Sequence, residues 1–380
     1  MNRFIHCNLL FIVLLLISTC QTANKNETAA ELNIDLNEAK PTINLNDIAS
    51  DLNFVRLQTQ PGFLIGNIRN IIIEKNIYVQ NFRNIFVFDI HGNPLYKIDA
   101  AGRSEGTYYE INDFRVDDSG NLEIWDRVKK QMLYFDSTGE YQFKRKFNVI
   151  ANYYTKLDSI YYFYNSGAYT KKGAEAYLVS TFGFEGKKRN DYLPVNHLGM
   201  NSFSTPYLIG QHNKMVYFEE APLSKIYALD GNKLFPLYRI NICNKTLSKE
   251  EYLQMRDMRA SDRFHKITNQ SYHSRGITAI GDYGIKMTLV GKRKVYICFY
   301  NLDDHRYQLG EQVLENHYFN TPIRRNLIYK NRYIGYIPAH EIIDHVNIKA
   351  FIEEEPKTYS VLRNLERGDN PILITGHLKR

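Results

Sequence analysis

The sequence of 380 residues holds one tryptophan, 11 prolines and four cysteines. Two of the cysteines, Cys7 and Cys20, fall in the first twenty positions, which leaves only Cys243 and Cys298 for the rest of the chain. That excludes a disulfide-built scaffold, and no Cys/His spacing of a zinc site occurs. After the N-terminus no segment is apolar enough to cross a bilayer, which takes about 20 residues of helix. Charge of one sign is missing too, since 48 basic residues stand against 41 acidic ones. A net +7 does not call for a nucleic-acid partner, and the short clusters RVKK (127–130), KKR (187–189) and GKRK (291–294) read as solvated turn tips. No P-loop, G-x-S-x-G elbow or other cofactor or catalytic signature is present. What abounds is aromatic: 29 tyrosines and 21 phenylalanines favour strands.

The first twenty residues give an address. Arg3 precedes the apolar run Leu9–Ile17, LLFIVLLLI, which is too short to span a bilayer and fits the core of a signal peptide. Ile17, Ser18 and Thr19 then lead into Cys20, which resembles the lipobox of bacterial lipoproteins. That resemblance implies a signal peptide over 1–19 and acyl chains on Cys20, which would tether the chain to a membrane; an ordinary signal peptide is the alternative. Residues 20–41 are polar and lack aromatics, so they read as a flexible tether. Gln21 is not the Asp that retains lipoproteins at the inner membrane, and QTANK lacks an acidic export cluster. The expectation is an outer-membrane anchor facing the periplasm.

From residue 42 to 380 the pattern is all-β. The stretch NIFVFDIHGNPLYKI (84–98) is written again as QMLYFDSTGEYQFKR (131–145), each a strand, a Gly-containing turn and a strand. A second kind of two-strand unit recurs at 71–81, 114–126, 154–165, 208–220, 287–300 and 326–338. The two kinds alternate as inner and outer pairs with a period near 45, which is the signature of four-stranded propeller blades. Six inner pairs give a six-bladed β-propeller. LSKEEYLQMRDMRASDRF (247–264) and AHEIIDHVNIKAFIEEE (339–355) read as short helical insertions. The last blade is one strand short at the C-terminus, and LNFVRLQT (52–59) is available to complete it against 371–379.

Blade two, GTYYEINDFRVDDSGNLEIWDRVKKQMLYFDSTGEYQFKR, resembles an NHL-type repeat. The wider pattern resembles the six-bladed β-propeller lipoproteins of Bacteroidota, in the lipobox, the VRLQT strand, the terminal NPILITGHLK and a loop of the form GxGPGEY…DF. In that loop Gly102, Arg103, Gly106, Tyr108, Asp113 and Phe114 match, while Ser104, Glu105 and Thr107 stand in place of Gly, Pro and Glu. The resemblance implies the fold and leaves activity open.

Loops joining strands two and three share a propeller face with those joining blades. That face would carry Arg83, Arg103, Glu105, Tyr108, Tyr109, Arg127 and Lys129. Arginine and tyrosine suit stacking and charged hydrogen bonds to a peptide, glycan or outer-membrane protein; blade packing and solvated charge are the plain alternative. The turns with Gly92, Gly120 and Gly139 should lie opposite. His340 and His345 are spaced i, i+5 and diverge on a helix, so no metal site is read there. DDSGN (117–121) lacks calcium-loop spacing and reads as a turn. Trp125 reads as packing, and Cys298, inside VYICFY, as a buried free thiol unless it pairs with Cys243. The expected function is a membrane-tethered, non-catalytic binding propeller without a cofactor. The alternative is an NHL-propeller-type lyase or hydrolase with a site in the central channel.

Overall fold

The computed structural model describes residues 29–165, 177–194, 209–220, 223–243, 245–255, 258–270, 273–282, 284–291, 294–314, 321–345 and 361–379. The signal peptide and Cys20 lie outside the described residues. Six sheets form six blades, the first three with their four strands in sequence order from the axis outward and the last three completed at their outer edges by N-terminal strands. Blade one is Asn70–Ile73, Ile77–Gln80, Ile85–Phe88 and Pro94–Ile98; blade two is Asp113–Val116, Leu122–Asp126, Gln131–Phe135 and Tyr141–Lys146. Blade three is Tyr153–Leu157, Ile160–Tyr164, Tyr177–Gly183 and Lys188–Pro194; blade four is Ile209–His212, Met215–Glu220, Lys225–Asp230 and Lys233–Ile242. Blade five is His273–Ile280, Gly284–Gly291, Lys294–Asn301 and Tyr307–Leu314. Blade six takes Arg324–Tyr329, Arg332–Ile337 and Ile372–Leu378, and its outermost strand is Ala49–Arg56 from the N-terminal end. That strand pairs antiparallel with the C-terminal one, Ile372 opposite Arg56 and Leu378 opposite Ala49. The ring closes by strand sharing, as the sequence led one to expect.

The core is six apolar layers, one between each pair of neighbouring blades. The middle strands are therefore buried on both faces: IFVF of blade one and QMLYF of blade two have no exposed residue. The outer strand Tyr141–Lys146 keeps water on one side and carries the polar residues. Trp125 is fully buried between blades two and three, with its indole N–H on the carbonyl of Ala151 at 2.8 Å. Gly92, Gly120 and Gly139 turn with φ of +85°, +89° and +89°. At Gly92 a side chain is also excluded by space, because a Cβ would lie 2.0 Å from the carbonyl oxygen of Arg56.

Two expectations are corrected. Residues 30–41 are not tether. β1 (Ala30–Ile34) and β2 (Lys40–Asn44) add as fifth, parallel strands to the outer edges of blades four and five, before β3 (Ala49–Arg56) enters blade six. The physical reason is alternation: Leu32, Ile34, Leu36, Ile43 and Leu45 are buried against the blades while the polar residues between them face out. Blade five is shifted by one strand relative to the sequence reading, since 287–300 spans its second and third strands rather than its first and second. The insertion does contain helices, α1 (Lys249–Gln254) with a Ser248/Glu251 capping box and α2 (Ala260–Gln270). A third helix, α3 (Ala339–His345), follows blade six's second strand, and the remainder of that insertion to residue 360 lies outside the described residues. Both Cys243 and Cys298 are free thiols; burial raises the pKa of each. No helix among the described residues is long and apolar enough to cross a membrane.

Candidate functional site

The loops 81–84, 99–112 and 127–130 do meet on one face of blades one and two, but several of the expected ligand residues hold those loops together. Tyr108 is fully buried. Its hydroxyl donates to the carbonyl of Arg83 at 2.6 Å and accepts the Ala100 N–H at 3.1 Å, and burial raises its pKa well above that of free tyrosine. A ligand cannot reach it, which corrects the expectation for that residue. The Lys129 ammonium donates to the carbonyls of Gly102 at 2.9 Å and Thr107 at 2.8 Å. Arg127 bridges Asn152 of blade three and Glu110, at 2.5 and 3.1 Å. These two are scaffold. Arg83, Arg103, Glu105 and Tyr109 are exposed, with Glu105 on Lys144 at 2.9 Å.

The larger space lies elsewhere. A cavity of about 620 Å³ occupies the centre of the ring and takes lining residues from the innermost strand of every blade. Ile71, Val116, Ile209, Ile280 and Leu327 give it apolar walls. Its mouth is formed by the turns between first and second strands, with Glu74, Asp118, Asp158, His212, Asp282 and Lys330. It therefore opens on the face opposite the expected site, where the hairpins lie. No single stretch of sequence signals this, because each blade supplies only three to six lining residues. Gly210 is part of the shaping: a Cβ there would fall 2.4 Å from the Tyr217 hydroxyl, which accepts the N–H of Ile280 and bonds blade four to blade five.

Charge around the cavity is lopsided. Glu74, Asp117, Asp118, Glu123, Asp158 and Asp282 face Arg115, Lys156, Lys330 and His212. Six carboxylates against three permanent cations leave a negative mouth in a chain of net +7. Part of the set is spoken for: Lys156 binds Glu123 at 2.5 Å, and Glu74 accepts Lys330 at 2.8 Å and the Tyr329 hydroxyl. Asp118, 3.4 Å from the Lys330 ammonium, and Asp158 are exposed at the rim. His212 Nε2 sits 3.1 Å from Asp282 Oδ1, a base held by a carboxylate, which sequence reading missed because the partners come from blade four and the far turn of blade five. Among the described residues, no three His, Cys, Asp or Glu side chains converge as a metal site requires.

A family profile described as "Domain of unknown function (DUF4934)" matches residues 31–377. Among solved structures, a Bacteroides fragilis protein described as exported superposes with a TM-score of 0.75 and 14% identity, over 92% of this chain and 100% of that one. A member of the duf4221 family from Bacteroides vulgatus superposes with a TM-score of 0.52 and 10% identity, over 87% of this chain and 97% of that one. Virginiamycin B lyase from Staphylococcus aureus gives a TM-score of 0.40 and 12% identity, over 75% of this chain and 81% of that one, a likeness too distant to bear on chemistry. No curated protein matches the chain.

Proposed function

The chain belongs to the DUF4934 family, and on that footing we propose that it is a non-catalytic binding propeller of the bacterial envelope, lipid-anchored through Cys20, that takes an amine-bearing peptide or glycan into its central cavity. The observation that carries this reading is the cavity itself: all six blades wall it, and its mouth is rich in carboxylates. Apolar walls with a few convergent charges are the usual make-up of a ligand site. The lipobox-like Ile17–Cys20 supports the anchor, and the exported Bacteroides fragilis protein is consistent with an envelope address.

Three experiments test it. Replacing Cys20 with Ala should move the protein from the outer-membrane fraction to the soluble one; unchanged fractionation with no acyl mass on the mature N-terminus sinks the anchor. Protease added to intact cells should spare a periplasm-facing propeller. For the cavity, trilysine titrated into the purified protein should bind at low salt and weaken as salt rises. Asp118→Lys with Asp158→Lys should abolish that binding while the melting temperature holds. Equal binding by the double variant would place the ligand elsewhere.

A lyase or hydrolase is the second reading, and the His212–Asp282 pair favours it, since an oriented imidazole is a common general base. Turnover of a peptide or glycan by the purified protein that disappears in His212→Ala would establish it over simple binding.

A further inference from the structure

Four of the nine large hydrophobic side chains most exposed among the described residues cluster on the loop face of blades one and two. Leu64 is 61% exposed, Phe82 59%, Tyr109 64% and Val128 53%. They sit on four neighbouring loops that are bonded to one another. Asn81 Nδ2 donates to the Ile65 carbonyl at 2.9 Å, which joins the Leu64 loop to the Phe82 loop. Tyr108 joins the Phe82 loop to the Tyr109 loop through Arg83. Asp126 accepts the Tyr109 N–H at 2.6 Å and the Lys129 N–H at 3.1 Å, which joins that loop to the Val128 turn. Buried or half-buried polar groups thus fix loops whose apolar side chains point into water. Packing explains the buried groups but not the exposed ones.

The charge beside these side chains is positive. The Arg69 guanidinium lies 4.7 Å over the Phe82 ring, and Arg83 and Arg103 are exposed next to it in the chain and in the adjoining loop. The nearby carboxylates have partners of their own: Asp126 is buried on backbone amides, Glu110 holds Arg127, Glu105 holds Lys144, and the exposed Asp99 holds Lys97 at 3.1 Å. We propose that this face docks an extended segment of another protein, in which apolar side chains alternate with or stand beside carboxylates. The apolar anchors would cover Leu64, Phe82, Tyr109 and Val128, and the carboxylates would meet Arg83 and Arg103. Loops fixed beforehand lose little entropy on binding, which is what a docking platform requires. Aromatic residues and arginines at its centre are the groups that dominate such contacts.

A membrane surface could also take exposed aromatics and arginines, but the direction of β1 argues for a protein. Blade four lies across the ring from blade one. β1 runs parallel to the last strand of blade four, so the chain arrives from the hairpin side and runs towards the loop face. That direction puts Ala30 at the hairpin end of blade four, on the side away from these four loops. The proposal is independent of the cavity, which opens on the other face.

The test uses the full-length chain in the cells that make it, with the photo-reactive residue p-benzoylphenylalanine placed at position 82, at 109 or, as a control on the hairpin face, at 118. Positions 82 and 109 should cross-link to the same protein. The adduct peptide, read by mass spectrometry, should carry more Asp and Glu than Lys and Arg. Arg83→Glu with Arg103→Glu should cut the yield about tenfold, as expected for reversing charges that meet opposite ones. The purified double variant must melt with the unmodified chain; if it does not, Arg103→Gln alone should still lower the yield. Adducts to lipid, adducts to a basic segment, equal labelling from position 118, yields indifferent to both variants, or no adduct at all would each overturn the proposal.

Discussion

Tyr108 sits between Thr107 and Tyr109 in a Gly-flanked loop, a setting that suggests a side chain turned outward. The backbone needs it more than a ligand does, because its hydroxyl bonds the Ala100 N–H and the Arg83 carbonyl where water cannot reach. Tyr108→Phe should therefore cost about 1–3 kcal/mol in urea unfolding, the price of stranding buried polar groups, while Tyr109→Phe should change nothing measurable. Residue type alone does not separate these two neighbours; only the tertiary position of the ring does. Lys286 makes a second residue-scale prediction. It is buried in blade five, and burial together with the charge of Arg325 lowers its pKa from 10.5 to about 8. Below pH 8 both folded and unfolded chains hold the proton and the penalty is full. Between pH 8 and 10.5 the folded chain releases a proton that the unfolded chain keeps, so stability rises with pH across that window. Lys286→Met should stabilise the protein at pH 7 by an amount of order 3 kcal/mol. The difference from the unmodified chain should shrink as pH passes from 8 to 10.5; a constant difference would mean that the ammonium is well solvated.

At the scale of elements, the hairpins were legible because each carries its own code: two-residue alternation, a turn with glycine, and aromatic partners. Blade five misled because GKRK joins two strands with the polar look of an inner turn, and because most of its true first strand follows directly on the helical insertion. The N-terminal strands were overlooked because polar residues dominate 30–44, yet a signal was there. Ile34-Asp35-Leu36-Asn37-Glu38 is written again nine residues on as Ile43-Asn44-Leu45-Asn46-Asp47. In each copy the Asx side chain accepts a backbone N–H two residues later, Asn37 at 2.9 Å and Asn46 at 3.0 Å, and caps a short turn of 3-10 helix between one blade and the next. A chain starting at residue 46 loses the buried cover of Leu32, Ile34, Leu36, Ile43 and Leu45. At about 1.5–3 kcal/mol for each fully buried side chain, the loss rivals a domain's whole margin of about 5–15 kcal/mol. Thermal melting of that truncation should fall sharply or give aggregate; an unchanged midpoint would show that β1 and β2 are dispensable. Deleting the last eleven residues should be at least as damaging, since it opens blade six and removes the buried side chains of Ile372, Leu373 and Ile374.

For the whole molecule, two opposed faces differ in kind. One holds a negatively lined hollow and the other a set of fixed loops with apolar tips and arginines. The cavity was out of reach of sequence reasoning because it exists only where six first strands, more than 250 residues apart at the extremes, stand at one level. The same closure has a consequence in time. β1 is among the first of the described strands to leave the ribosome, yet its partners lie about two hundred positions downstream; the Asn33–Asn241 side-chain bond spans 208 residues. β3 waits longer still, since Arg56 reaches Asp369 across 313. Pairings that distant form slowly, because the intervening loop must be closed before any contact rewards it. During that interval blades four and five carry bare outer edges, and the leading strands are open to proteases and to the edges of other copies. Refolding followed by brief proteolysis should show cleavage within residues 29–56 long after blades one to three resist it. Maturation of this ring then ends where its synthesis began.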